Sequence, residues 1–300
     1  MHSTRDIVLR AHEAAPHRVI AIVGPTASGK TDLALAVARA LGGEIVNADS
    51  IQIVKHFDLG SGKPSAEERG TVPHLLFDTL DPLDPIDAAG YARLADAAFA
   101  DVRARGKVPV LVGGTFFWVR ALLLGLVEAP SADADVRAQH DELVRTQGAP
   151  ALHARLALVD PESARRLHPN DALRVGRALE VFVLSGRKQS ELHAEHAFRT
   201  ERVEACWFAR LAEPADLDRR IEARARGWLE NGWLTEVEGL VAQGYREARA
   251  MGSVGYKEVL AHLEGQLPAD ELLPSIVRAT RVFARRQRTW LRSESRLVWV

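Results

Sequence analysis

A chain of 300 residues that is 47% hydrophobic and 26% charged has the composition of a globular protein of one large or two modest domains. Its net charge of −1 exerts no global pull on nucleic acid, and its single cysteine, Cys206, excludes an internal disulfide and a cysteine-based zinc site. No stretch approaches the ~18 apolar residues of a membrane span and residues 1–17 lack the apolar core of a secretory signal, so the expectation is a cytoplasmic protein with an N-terminal tail over 1–17.

Residues 19–24 (VIAIVG) form a short apolar, β-rich run ending in glycine. The octet GPTASGKT (Gly24, Pro25, Thr26, Ala27, Ser28, Gly29, Lys30 and Thr31) fits G-x-x-x-x-G-K-[ST], and a helical pattern follows to residue 41. In that strand, turn and helix setting the loop N–H groups converge as an anion nest, Lys30 adds a point charge and the Thr31 hydroxyl suits Mg²⁺. Taken alone, the loop points to ATP or GTP. Residues 44–49 (EIVNAD) read as a second strand with Asp49 at its carboxyl end, where three roles fit: ordering the water around magnesium, forming an Asx turn, or acting as a general base.

Residues 74–80 give a third, shorter strand, 88–106 a helix, and 107–115 (KVPVLVGGT) a buried strand closed by a double glycine and Thr115. That strand ends in no acid, although phosphoryl transfer on such loops commonly places one there to hold magnesium. The alternation predicts an α/β fold: a P-loop NTPase-like core with a mostly parallel sheet flanked by helices and ligands at the carboxyl ends of its strands.

From residue 128 the pattern turns helical and polar, broken at 129–135, 160–163 and 168–171, which predicts an all-helical insertion over 128–198. Residues 205–211 return as a strand, and the chain is then helical to about Ser293 before a final LVWV, so the catalytic core spans 18–127 and 199–300. Arg220 and Arg224 lie one helical turn apart, and their guanidinium forks match phosphate oxygens. Residues 278–296 hold seven arginines and one glutamate. Arg278, Arg281, Arg285, Arg288 and Arg292 fall at steps of three and four, a continuous cationic stripe that serves either as a solvated face or as a contact for nucleic acid.

GPTASGKT, ADSIQ (48–52), DLGSGKPS (58–65), PHLLFD (73–78), VPVLVGGT with RALL (120–123), PSAD (130–133), HPND with RALEV (177–181), VGYKE (254–258) and RRQRTWLR (285–292) occur in an order that resembles the tRNA dimethylallyltransferase family, also called tRNA isopentenyltransferases. The resemblance runs over about residues 19–299. It implies transfer of a dimethylallyl group from dimethylallyl diphosphate to N6 of the adenosine immediately 3′ of the anticodon, by a monomer that uses Mg²⁺ held at Thr31. On the family pattern Asp49 is the base; Gly24 to Thr31 and Arg224 hold the diphosphate. The tRNA anticodon stem-loop contacts Asp49, Ser50, Ile51, Gln52 and Thr115 around the extruded base. Further contacts are Arg137 with Leu173, Arg174, Val175, Gly176 and Arg177 from the insertion, and Gly252, Ser253, Val254, Gly255, Tyr256 and Lys257 near the flanking nucleotides.

The chain departs from the family pattern at Val54, at Phe116, Phe117 and Trp118, in PHLL and at Gly252, which puts the walls of the donor and base pockets and one RNA contact in question. Three rival readings share the phosphate loop. An adenylate prenyltransferase of the cytokinin type needs neither the insertion nor the stripe, a small-molecule kinase lacks its strand-end acid, and a nucleotide-responsive RNA switch gives Asp49 and Arg224 no role.

Overall fold

The structure, a computed structural model, describes residues 3–196, 198 and 200–300. Six strands form one sheet: β1 (Val19–Val23), β2 (Glu44–Asn47), β3 (His74–Leu75), β4 (Pro109–Gly113), β5 (Ala205–Ala209) and β6 (Val298–Trp299). Their order is β3-β2-β4-β1-β5-β6 and every pairing is parallel. β1 is central, with Ile20 opposite Val110 on one side and Val19 opposite Ala205 on the other. All five of its residues are buried, as a strand covered on both faces requires, and this is why VIAIV is unbroken by polar residues. Because the strands run one way, the segments leaving β1, β2, β4 and β5 emerge at the same edge.

The chain divides into two compact units, one of residues up to Leu124 together with Glu201–Val300, the other Gly125–Thr200. The division falls within three residues of the expected limits at 128 and 198. The second unit is helical throughout its described elements, from Ala134–Gln147 to Gln189–His196, and has its own core of Leu143, Leu152, Leu156, Ala164, Val175, Ala178 and Leu179. Asp160 caps one of its helices while buried. Burial pushes its carboxyl up, but hydrogen bonds from Ser163 and from the Ser190 N–H outweigh that and bring it down to about 2.

Within the expected N-terminal tail over 1–17 lies a helix. Thr4–Ala14 is α-helical, with Ser3 and Asp6 forming a reciprocal capping box and Val8 fully buried in the core beside Ile20, Ala34 and Val37. The Ser-x-x-Asp start and the Val8, Ala11, His12 spacing were the signals of an amphipathic helix, which needs no long apolar run. The third strand is shorter than 74–80, covering only His74–Leu75, because the chain turns into left-handed backbone at Leu76 and Asp78. Among the described residues no helix is long and apolar enough to cross a membrane.

Candidate active site

The phosphate loop leaves β1 and enters the helix Lys30–Leu41, whose unpaired first N–H groups face the sheet edge. The loop is tight: a Cβ on Gly24 would lie 2.5 Å from Ser28 Oγ, and Gly29 adopts φ 84°. Ser28 is buried with its hydroxyl unpartnered, a donor already inside the turn. The Lys30 ammonium donates to the Pro25 carbonyl at 3.4 Å. Burial pushes it down to about 8, with Asp49 opposing the fall and Arg224 adding to it.

Asp49 follows β2 in a fixed posture. Its N–H donates to the Asn47 side chain at 3.0 Å, and its Oδ1 accepts from Ile51 N–H at 3.0 Å and Gln52 N–H at 3.4 Å. Of the three roles open to Asp49, the Asx turn is therefore present, and it occupies one carboxylate oxygen. The other oxygen points across Gly114: a Cβ built there would sit 3.3 Å from Asp49 Oδ2 and 3.7 Å from Lys30 Nζ. The carboxylate and the ammonium thus converge over the double glycine. Gly113 is needed for a different approach, since a Cβ on it would lie 2.1 Å from the Ala48 carbonyl oxygen. Thr115 joins the same loops, its Oγ1 accepting from Ser50 N–H at 2.9 Å and donating to Ser50 Oγ at 3.2 Å.

Two cavities meet here. A cavity of about 300 Å³ is walled by Thr26, Lys30, Thr31, Asp49 to Gln52, Thr115, Arg224 and Gly252 to Val254. The base-side residues expected from sequence are therefore brought together. A larger, more open cavity of about 1010 Å³ lies on the phosphate side, against Ala27 to Leu33 and with Arg210, Arg220 and Arg224 on its rim. Arg224 Nη2 donates to Thr26 Oγ1 at 3.4 Å, and its guanidinium stacks 4.5 Å from the Trp228 ring centroid.

Gln287 was not singled out from sequence. It comes from the helix Ala269–Arg292, is buried, and its amide accepts from Thr26 N–H at 2.9 Å while donating to the Gly114 carbonyl at 2.9 Å. Trp228, Trp233, Ile276, Thr280 and Phe283 are further lining residues that no local pattern marked.

Some of the expected residues do not line the smaller cavity. Tyr256 is fully buried and donates to Glu236 at 2.6 Å, while Gly255 lies under the Trp233 ring, so both support the site from behind. Lys257 lines an adjoining surface groove with Arg278 and Arg286, which shares Val254 and Phe283 with the smaller cavity. Val54, Phe116, Phe117 and Trp118 do not wall the smaller cavity: Trp118 stacks on Tyr91 at 4.4 Å, Phe116 meets Trp207 edge-on, and Phe117 meets Trp290. Their departures from the family pattern leave the pocket walls untouched.

Within the helical unit, Arg137, Leu173, Arg174, Gly176 and Arg177 line one cavity of about 310 Å³. Val175 does not join them, because its side chain is fully buried in the unit's core. Arg137 and Arg177 both hold the buried Glu180, at 2.9 and 2.5 Å, so part of their charge is already engaged. On the C-terminal helix the stripe is also partly answered: Arg278 faces Glu271 at 3.9 Å and Arg281 faces Asp218 at 3.3 Å. Arg285, Arg286, Arg288 and Arg292 have no carboxylate partner among the described residues.

No cluster of three or more histidine, cysteine or acidic side chains able to hold a metal occurs among the described residues. Thr31, at the head of its helix and on both cavities, is the hydroxyl placed to contribute to Mg²⁺, with Asp49 on the same wall. That sparse donor set fits an ion that takes most of its oxygens from a diphosphate and water.

The model of the family described as IPP transferase matches residues 52–294, and that of Isopentenyl transferase matches residues 17–79. A tRNA dimethylallyltransferase of Sorangium cellulosum is 59% identical over 281 residues, covering 94% of this chain and 90% of its own. Among solved structures, a tRNA isopentenylpyrophosphate transferase of Bacillus halodurans superposes with a TM-score of 0.70 at 33% identity, over 95% of this chain and 89% of its own. A eukaryotic dimethylallyltransferase acting on tRNA reaches a TM-score of 0.76 at 26% identity, over 91% and 69%.

Proposed function

The chain belongs to the IPP transferase family, and from that membership we infer that it is a tRNA dimethylallyltransferase, moving a dimethylallyl group from dimethylallyl diphosphate to an adenosine of tRNA. The acceptor in this reading is N6 of the adenosine immediately 3′ of the anticodon, and the products are N6-isopentenyladenosine and diphosphate. The observation that carries it is the convergence of Asp49 Oδ2 and Lys30 Nζ over Gly114, with Lys30 lining both cavities and β4, the strand that leads into this double glycine, ending in no acid.

The chemistry follows from that placement. The C1–O bond of the donor breaks with its electron pair passing to the diphosphate, the N6 lone pair forms the new C1–N bond, and the surplus N6 proton passes to Asp49. An adenine amine is a weak nucleophile because its lone pair is shared with the ring, which is why a nearby carboxylate helps. The leaving diphosphate is received by the loop N–H groups, Lys30 and Arg224, aimed at the charge that develops as the bond breaks. Mg²⁺ held by Thr31 and the diphosphate would supply further neutralisation of that charge. Asp49, locked by its turn hydrogen bonds, needs no rearrangement to present its second oxygen.

The tRNA anticodon stem-loop is the partner in this reading, with the target base extruded, which costs least in a single-stranded loop. Arg285 and Arg288 on the C-terminal helix, and Arg137 and Arg174 on the helical unit, serve its backbone. We place the reaction in the cytoplasm and on a monomer. The test is an acceptor comparison: purified protein with dimethylallyl diphosphate and Mg²⁺, offered unmodified tRNA or AMP, followed by the mass of the adenine product. A gain of one prenyl group on tRNA alone is expected, and a gain on AMP but not on tRNA would overturn the assignment.

A further inference from the structure

Five residues are common to the two cavities: Lys30, Thr31, Gly62, Arg224 and Trp228. A prenyl diphosphate that reacts with a base in the smaller cavity must cross this shared wall, its phosphates on one side and its reacting carbon on the other. Lys30, Thr31 and Arg224 are polar and serve the phosphates. Gly62 has no side chain. Trp228 is the one apolar surface at the crossing.

Its position is fixed from two sides. One face of the indole carries the Arg224 guanidinium at 4.5 Å, and Trp233 meets it edge-on at 5.5 Å with planes at 78°. Gly62, at φ 64°, passes close beneath: a Cβ there would come within 3.1 Å of the Trp228 ring and 3.2 Å of Arg224 Nη2. A side chain at 62 would push the ring and the guanidinium away from the wall they share.

We propose that Trp228 is the wall against which the donor's carbon chain packs, and that it limits the donor to five carbons. The proposal rests on the prenyl-transfer reading. The smaller cavity holds about 300 Å³, whereas the phosphate-side cavity holds about 1010 Å³. With the indole in place, a chain reaching toward the acceptor has only the smaller volume and must share it with the adenine. Shortening Trp228 joins the two volumes along the crossing and gives a ten-carbon chain room to fold back. The bonds made and broken are the same for either donor, so the change is one of fit alone. Discrimination by apolar fit is worth roughly 10- to 200-fold per methylene at most, so a loss of an order of magnitude or more in selectivity is the expected scale.

The experiment compares dimethylallyl diphosphate with geranyl diphosphate as donors to unmodified tRNA, in the wild type, Trp228→Phe and Trp228→Ala, reading kcat/KM for each from the mass of the modified adenosine. The expected result is a geranyl-to-dimethylallyl ratio that rises at least about tenfold in Trp228→Ala and by a smaller factor in Trp228→Phe. A merely structural role would depress both donors together and leave the ratio alone. A ratio within twofold of wild type in Trp228→Ala overturns the proposal. Should that variant not fold, the milder Trp228→Phe decides, and an unchanged ratio there overturns it equally. A wild type that transfers neither chain to tRNA would instead overturn the prenyl-transfer reading, a result visible before any variant is made.

Discussion

The Gln287 side chain accepts a hydrogen bond from the Thr26 backbone N–H at 2.9 Å, tying the arginine-bearing C-terminal helix to the phosphate loop 261 residues earlier in the chain. The same amide donates to Gly114 O, so one side chain spans the turns after β1 and β4. Replacing it by methionine preserves bulk but leaves a half-buried N–H and a buried carbonyl without their partner. Each such loss costs about 1 to 3 kcal/mol, so Gln287→Met should lower unfolding stability by about 2 kcal/mol or more. Denaturant unfolding measures that, and the donor KM should rise with it because the loop is no longer held.

Asp49→Asn keeps a side-chain oxygen for the N–H groups of Ile51 and Gln52, so the turn stands while the proton acceptor is lost. Turnover should fall by about 100-fold or more, in line with general-base contributions, with tRNA affinity retained. Single-turnover rates together with a binding isotherm check it, and unchanged turnover would remove the base assignment.

Lys30 gives the site a pH limit. Its folded pKa of about 8 lies below the ordinary lysine value of 10.5. The folded chain therefore releases a proton that the unfolded chain still holds between those two values, and stability contributed by this group rises with pH across that window while its full cost is felt below 8. Donor capture has the opposite sense, since only the ammonium attracts the diphosphate. The kcat/KM for the donor should fall about tenfold per unit above pH 8 in a buffer series from pH 7 to 9.5. A flat profile would show that Lys30 keeps its charge.

The unpaired arginines make a separate claim. The logarithm of tRNA affinity should fall steeply with the logarithm of salt concentration, and Arg285→Ala combined with Arg288→Ala should reduce that slope by about 1 to 2. Arg278→Ala, at a residue already facing Glu271, should change it less. A salt-insensitive complex would make the stripe a solvated face.

The phosphate loop, Asp49 and Thr115 were readable because each is a local pattern: an apolar run, then a small polar residue at the strand's carboxyl end, where a parallel sheet places its ligands. Gln287 was not readable. Arginine spacing identifies the charged side of the last helix, yet which residue of the opposite side meets Thr26 is settled by a contact across most of the chain. The burial of the Val175 and Tyr256 side chains was not readable from their motifs, because a motif locates a segment and not the direction of each side chain. The helical step from Val175 to Ala178 and Leu179 places all three on the buried face, so Val175 could have been assigned to the core from periodicity. The N-terminal helix was missed because a search for a targeting signal asks for apolar length, whereas this segment buries a single fully enclosed residue, Val8.

In the proposed reaction the loop Gly24 to Thr31 holds phosphate as the leaving group and not as cargo. The direct measurement is stoichiometric: react the protein with dimethylallyl diphosphate, Mg²⁺ and unmodified tRNA in a single turnover, count diphosphate released and prenyl-adenosine formed, and run ATP in place of the donor. One diphosphate per modified adenosine and no phosphorylated product from ATP are expected. Phosphoryl transfer from ATP to any acceptor, or prenyl-adenosine formed without diphosphate release, would overturn that role for the loop.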